Sequence, residues 1–260
     1  MLLCDCMENY HLILQIKNKK LTPREYITKS KEILIFLEGI DPIFDNLFGW
    51  GTTEKSRKGF KEDKSDFEDR VFEQIKNDQI RYYNNDPDDE EIRLHSTSWL
   101  PYGNSYSNTS KAEDGQITVS FSMGGSDDDH GNFFIDFPKN NKYPQFSHYD
   151  FVKGLLVKCM SLFEVTYGVV ISNEFRCLVK KKNQKDLRWV GWMTFIKDKD
   201  NGDSVFDLIL DDLVSVKEKI NQGTLIILSK KKPVDEVEII KNACKVRDIM
   251  FQNDYLGLIN

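Results

Sequence analysis

The sequence predicts an α+β protein in which a mixed or mainly antiparallel central sheet is flanked by several helices. Three observations carry that expectation. Capping boxes open helices at Thr22-Pro23-Arg24-Glu25 and Ser65-Asp66-Phe67-Glu68. Ile117, Val119, Phe121 and Met123 alternate with polar residues at strand spacing. The stretch RWVGWMTFI, residues 188–196, is apolar at odd and even positions alike, as a strand covered on both sides must be.

Taken in order, Tyr10 to Ile16 (YHLILQI) is a short apolar run that suits a strand, with a polar NKK turn after it. Thr22 then acts as N-cap, with Pro23 at the first helical position and Glu25 three after the cap, so the orphan amides of a helix start are satisfied. That helix is expected to reach about Leu37, with Ile33, Leu34, Leu37 and Ile40 on one face and Gly39 as its stop. The following loop is rich in turn residues yet carries Ile43, Phe44, Leu47, Phe48 and Trp50, so it should pack down onto the core. The helix opened by Ser65 presents Phe67, Val71, Phe72 and Ile75 as an apolar stripe, and the loop Asp86-Pro87-Asp88-Asp89-Glu90-Glu91 ends it.

From residue 92 to about 136 the pattern is β, with a hairpin whose long polar tip reads GGSDDDHGN and whose second strand holds Phe133, Phe134, Ile135 and Phe137. Ser147-His148-Tyr149-Asp150 repeats the cap-plus-acid spacing before a helix with a wide apolar face from Phe151 to Phe163. Val165 to Ser172, Trp189 to Ile196 and Thr224 to Leu228 read as strands, and Pro233 precedes a last helix carrying Val237, Ile240, Cys244 and Ile249. Strand alternation puts Trp189, Gly191, Met193 and Phe195 on one face and Val190, Trp192, Thr194 and Ile196 on the other. Two tryptophans so close together are either a recognition surface or the middle of a core, and the doubly apolar pattern favours the core.

Composition bounds the function. A chain of 260 residues with 40% hydrophobic side chains can bury one large core or two small ones. It is read as a single domain over residues 1–260, with any sub-division placed near residues 140–147. Its 36 basic and 42 acidic side chains give a net charge of −6, which disfavours direct nucleic-acid binding and suits a basic partner. MLLCDCMENY has no basic region ahead of an apolar run, and no stretch approaches the roughly 20 apolar residues of a membrane span, so a cytoplasmic protein is expected. Cysteines at 4, 6, 159, 177 and 244 form no CxxC pair and suit neither a disulfide framework nor a zinc ribbon; Cys159 and Cys244 read as core thiols.

Candidate chemistry is sparse. Asp127, Asp128, Asp129 and His130, between glycines, could ligate a hard cation, although the bidentate Glu of an EF-hand is missing and a solvated hairpin tip is the plainer account. The motifs GxxxxGK[ST], GxGxxG, GxSxG and HExxH do not occur, and no cofactor is expected. His11, His95, His130 and His148 are scattered, and each reads as a surface or capping residue. Lys180 to Lys182 with Lys185 and Arg188 form a basic run that lacks interleaved aromatics and reads as a turn between strands.

The order of features resembles the immunity protein 52 family of bacterial polymorphic toxin systems. The carrying residues are Asp41, Pro42, Phe44 and Trp50 after the first helix, Ser56, Arg57 and Lys58 in a small-residue and basic segment, and the Gly191-Trp192 strand. The resemblance runs from Met7 onward; residues 1–6 lie outside it and read as a disordered or non-native start. It implies a non-enzymatic α+β protein that binds and neutralises a cognate toxin, usually a restriction-endonuclease-like nuclease. Asp86, Asp88, Asp89, Glu90 and Glu91, with Asp127, Asp128 and Asp129, are the candidate toxin contacts, since acidic clusters can mimic the phosphates a nuclease prefers. The Asp41, Pro42, Phe44, Trp50, Gly191 and Trp192 set is expected to be structural. Two other classes stay open: a metal-dependent hydrolase with its site in the 124–131 loop at Asp127, Asp128 and His130, and a general interaction adaptor.

Overall fold

In a computed structural model, the YHLILQI run extends as strand β1 (Tyr10–Lys17), with Tyr10, Leu12, Leu14 and Ile16 buried. The structure describes residues 9–45, 47–49, 59–83, 102–109, 115–124, 130–139, 142–180, 188–233 and 236–256, the side chains of 78–83 excepted. The chain forms two compact units, residues 15–135 and residues 1–14 with 136–260. Both units combine helices with antiparallel strands, as the α+β reading expects.

The unit of residues 15–135 opens with α1 (Pro23–Glu38). The capping box forms in full: the Glu25 amide donates to Thr22 Oγ1 at 3.2 Å, and the Thr22 amide donates to the Glu25 carboxylate at 2.7 Å. Gly39 ends the helix in right-handed geometry, donating to Ile35, with no left-handed cap. A 3₁₀ turn (Pro42–Phe44) and the short strand β2 (Phe48–Gly49) follow, then α2 (Phe67–Tyr83), β3 (Tyr102–Ser107), β4 (Thr118–Met123) and β5 (His130–Asp136). Their strand order is β2-β3-β4-β5. The expected stripe of α2 is buried, from Phe67 to Ile75. Its cap differs from the expectation: the helix begins at Phe67, and the Asp66 carboxylate accepts from the Lys61 amide and Arg70.

A column of rings fills this core. Tyr106 stacks on Phe121 at 5.6 Å between centroids, Phe121 on Phe133 at 6.4 Å, and Phe67 lies 6.3 Å from Tyr106. Each buried aromatic or aliphatic side chain contributes roughly 1.5–3 kcal/mol by leaving water. The loop Ile43, Phe44, Leu47 packs down as expected, with all three side chains buried.

The second unit contains α3 (Tyr149–Met160), β6 (Val165–Ser172), α4 (Asn173–Val179), β7 (Met193–Lys197), α5 (Val205–Leu208), β8 (Val216–Ile220), β9 (Gly223–Ile227) and α6 (Val237–Gln252). Strand order is β1-β6-β7-β9-β8. Ser147 is not the cap of α3, because it ends a 3₁₀ turn (Pro144–Ser147) and His148 occupies the capping position without a side-chain bond. The final helix is rotated from its predicted face. Ala243, Val246 and Met250 are buried, Ile240, Cys244 and Ile249 are half-buried, and Val237 is exposed; the buried three pack with sheet residues such as Tyr167, Val169 and Ile226 and with Phe175 and Val179 of α4.

The predicted strand Trp189–Ile196 is shorter, beginning only at Met193. Gly191 lies in the part that is lost. Its amide turns to Thr194 Oγ1 at 3.0 Å, and a Cβ there would sit 2.6 Å from Val169 Cγ2 and against the Val170 carbonyl. The core reading of Trp192 stands: it has no exposed surface, and its indole N–H donates to the Ser229 carbonyl at 2.8 Å.

Candidate functional site

The residues KDKDNGDS, 197–204, leave β7 and turn back at once. Gly202, at φ 88°, supplies the left-handed residue of this turn, which closes through the Gly202 amide on Lys199 O at 2.9 Å and the Lys199 amide on Asp203 O at 3.0 Å. Ser204 then caps the short helix α5, its hydroxyl accepting from the Phe206 amide at 3.1 Å and donating to Asp198 at 2.7 Å. Lys219, from β8, donates to Asp198 at 2.8 Å and also to the Ser204 hydroxyl. Burial works to raise the Asp198 pKa, but the bonds from Lys219 and Ser204, with the Lys219 charge and Thr224, outweigh it and hold the carboxyl below the usual range.

The facing wall is the C-terminal end of α6. Asp254 takes a left-handed conformation at φ 57°, its amide donating to Phe251 O at 3.2 Å, and the Tyr255 amide donates to Met250 O at 2.9 Å. This pair of bonds is a Schellman motif, with Asp where glycine is usual. Lys199 reaches across to donate to Asn253 O at 2.8 Å, its ammonium 4.7 Å from the centre of the Tyr255 ring.

Between the walls lies a cleft of about 470 Å³. Asp203, Asp207 and Asp254 are exposed at its edge, while Ser204 and Tyr255 form buried parts of its lining. Tyr255 is only 3% exposed, yet its hydroxyl has no hydrogen-bond partner among the described residues. Burial first, then the charges of Asp203, Asp198 and Asp207, hold its phenol above the usual tyrosine range.

Carboxylates gathered at the negative end of a helix dipole favour a cation. Among the described residues no three His, Cys, Asp or Glu side chains are placed to hold a metal ion.

Most of the residues predicted from sequence lie elsewhere. Asp86, Asp88, Asp89, Glu90, Glu91, Asp127, Asp128, Asp129 and Trp50 lie outside the described residues. Asp41 caps the Pro42–Phe44 turn by accepting from the Ile43 amide at 2.9 Å, Phe44 and Trp192 are fully buried, and a Cβ at Gly191 would press on β6. His130 begins β5, with its Nδ1 buried and without a partner among the described residues.

His11 corrects the expectation of surface histidines. It is 9% exposed, bonded through Nδ1 to Asp136 and through Nε2 to Asn173 at 3.3 Å. Arg188 likewise turns inward from the predicted basic run, donating to Tyr255 O at 3.4 Å beside the Tyr167 ring. Lys181, Lys182 and Lys185 lie outside the described residues.

Sequence reasoning missed Lys199, Asp203, Asp207, Asp254 and Tyr255 altogether. The acid-rich KDKDNGDS turn was the one local signal, and it does not indicate that the end of the chain's last helix faces it.

Among the described residues no helix is long and apolar enough to cross a membrane. No protein-family model matches the chain, and no curated protein matches it. Among solved structures the chain is similar to the Pseudomonas aeruginosa T6SS protein PA0821, at 14% identity and a TM-score of 0.49, over 92% of this chain and 72% of that one.

Proposed function

We propose that the chain is an immunity protein, which binds a basic protein toxin and neutralises it by association, without catalysis. The toxin is a nuclease of a polymorphic, contact-dependent or type VI secretion system. The observation that carries this reading is the acidic cleft, whose edge presents Asp203, Asp207 and Asp254 at the negative end of α6. The resemblance through Asp41, Pro42, Phe44, Gly191 and Trp192 supplies the toxin class. Neutralising a nuclease requires nanomolar binding or better, about 12 kcal/mol of association free energy. Acidic side chains facing a basic partner speed such encounters.

The test is co-expression with the toxin domain encoded beside this chain. A domain that is lethal alone, harmless with this protein and recovered with it in equal amounts supports the reading. Continued killing in the presence of well-folded protein would end it.

A further inference from the structure

We propose that Asn201, at the tip of the 199–203 turn, is a site of spontaneous deamidation, and that the turn itself restrains the reaction. Neither the site nor its chemistry depends on a bound toxin.

Asn201 precedes Gly202, and the two form the only Asn-Gly pair in the sequence. Both residues are exposed. The residue that supplies the attacking nitrogen carries no side chain, and a Cβ placed at Gly202 would meet nothing within 4 Å, so the approach is unobstructed. In the reaction the Gly202 amide nitrogen gives its proton to base and bonds to Cγ of Asn201. The Cγ–Nδ2 bond breaks, and ammonia leaves with a proton from water. Water then opens the succinimide ring at either carbonyl. One opening gives aspartate, and the other gives isoaspartate, in which the main chain runs through the side chain. Each ammonia released consumes one water, and nothing is oxidised or reduced.

Hydrogen bonds of the turn oppose the attack. The Gly202 amide donates to Lys199 O at 2.9 Å, so its proton is held. Asn201 Nδ2 donates to Asp203 Oδ2 at 2.8 Å, and Asn201 Oδ1 accepts from the Asp203 amide at 3.1 Å. Asp203 therefore grips both ends of the carboxamide, which must be released before Cγ can meet the nitrogen. The product fits the turn less well. Deamidation replaces the Nδ2 donor by a carboxylate oxygen, which sets two like charges where a hydrogen bond stood. Isoaspartate also lengthens the main chain inside a turn closed by the Lys199 amide on Asp203 O at 3.0 Å.

The experiment ages the full-length chain in mildly alkaline buffer, both native and in guanidinium chloride, and follows each asparagine by peptide mass spectrometry with the aspartate and isoaspartate forms separated. In guanidinium chloride Asn201 should convert ahead of every other asparagine. In the native protein it should still convert, but more slowly. Asp203→Ala should quicken the native reaction about threefold or more and leave the unfolded rate unchanged, with circular dichroism confirming that the variant is folded. The comparison of native with unfolded parent needs no variant and stands even where Asp203→Ala fails to fold. No conversion at Asn201 in the native protein, a native rate equal to the unfolded one, or a native rate untouched by Asp203→Ala in a folded chain overturns the proposal.

Discussion

Trp192 meets Tyr10 edge to face, with ring centroids 5.8 Å apart and planes at 79°, and the Tyr10 hydroxyl donates to the Pro233 carbonyl at 2.7 Å. This contact joins β1 to the segment before β7 within one unit, and both rings are essentially without exposed surface. Trp192→Ala removes a large buried ring and its bond to Ser229 O. It should cost about 3–5 kcal/mol, a large share of the stability of an ordinary domain. Urea unfolding measures it. A parent-like midpoint would show that the tryptophan is not part of the cooperative core.

Gly191 allows that arrangement by letting its backbone approach β6. A Cβ there would lie 3.0 Å from Ile171 Cβ and 2.6 Å from Val169 Cγ2, both held by the sheet. Gly191→Ala should therefore destabilise by about 1–3 kcal/mol, although alanine is otherwise the milder change. The unfolding midpoint of this variant, with circular dichroism to confirm its fold, decides the matter.

Trp192 also marks where sequence reasoning succeeds. The Thr22 capping box, the Phe67 to Ile75 stripe and the alternation of residues 117–123 are local patterns, and local hydrogen bonding or burial enforces each of them. The face of α6 was not legible, because its apolar residues spread over a broad arc and tertiary packing, against β6, β9 and α4 among others, decides which are covered. The cleft was less legible still. Asp203 and Tyr255 are separated by 52 residues, from 255 − 203, and only the packing of α6 brings them to one place. His11, Asp136 and Asn173 meet for the same reason, through tertiary structure that no spacing encodes.

Asp254 occupies a position that costs a side chain. Its φ of 57° is left-handed, the conformation that glycine adopts freely at a helix end. Asp254→Gly should stabilise the chain by about 1 kcal/mol, while Asp254→Val should destabilise it by a similar or larger amount. Thermal and urea unfolding of the two variants provide the check. If glycine gives no gain, the aspartate is compensated by contacts in the folded chain.

Asp198 gives a prediction in pH. Its carboxyl is held below the usual carboxylate range by Lys219 and Ser204, despite burial that opposes them. The folded pKa is thus depressed relative to an unfolded value of about 3.9, and the native state binds fewer protons. The resulting stabilisation is present above about pH 4 and is lost as pH falls through the folded value. The pair is partly open to solvent, with the Lys219 side chain 44% exposed, so screening limits the effect to about 1 kcal/mol or less. Asp198→Asn should accordingly be less stable than the parent near neutral pH, and the gap should narrow as the parent is acidified below about pH 4. Urea midpoints for both proteins across that range measure the gap directly. A gap that stays constant would assign the contribution of Asp198 to hydrogen-bond geometry at the Ser204 cap, with its charge playing no part.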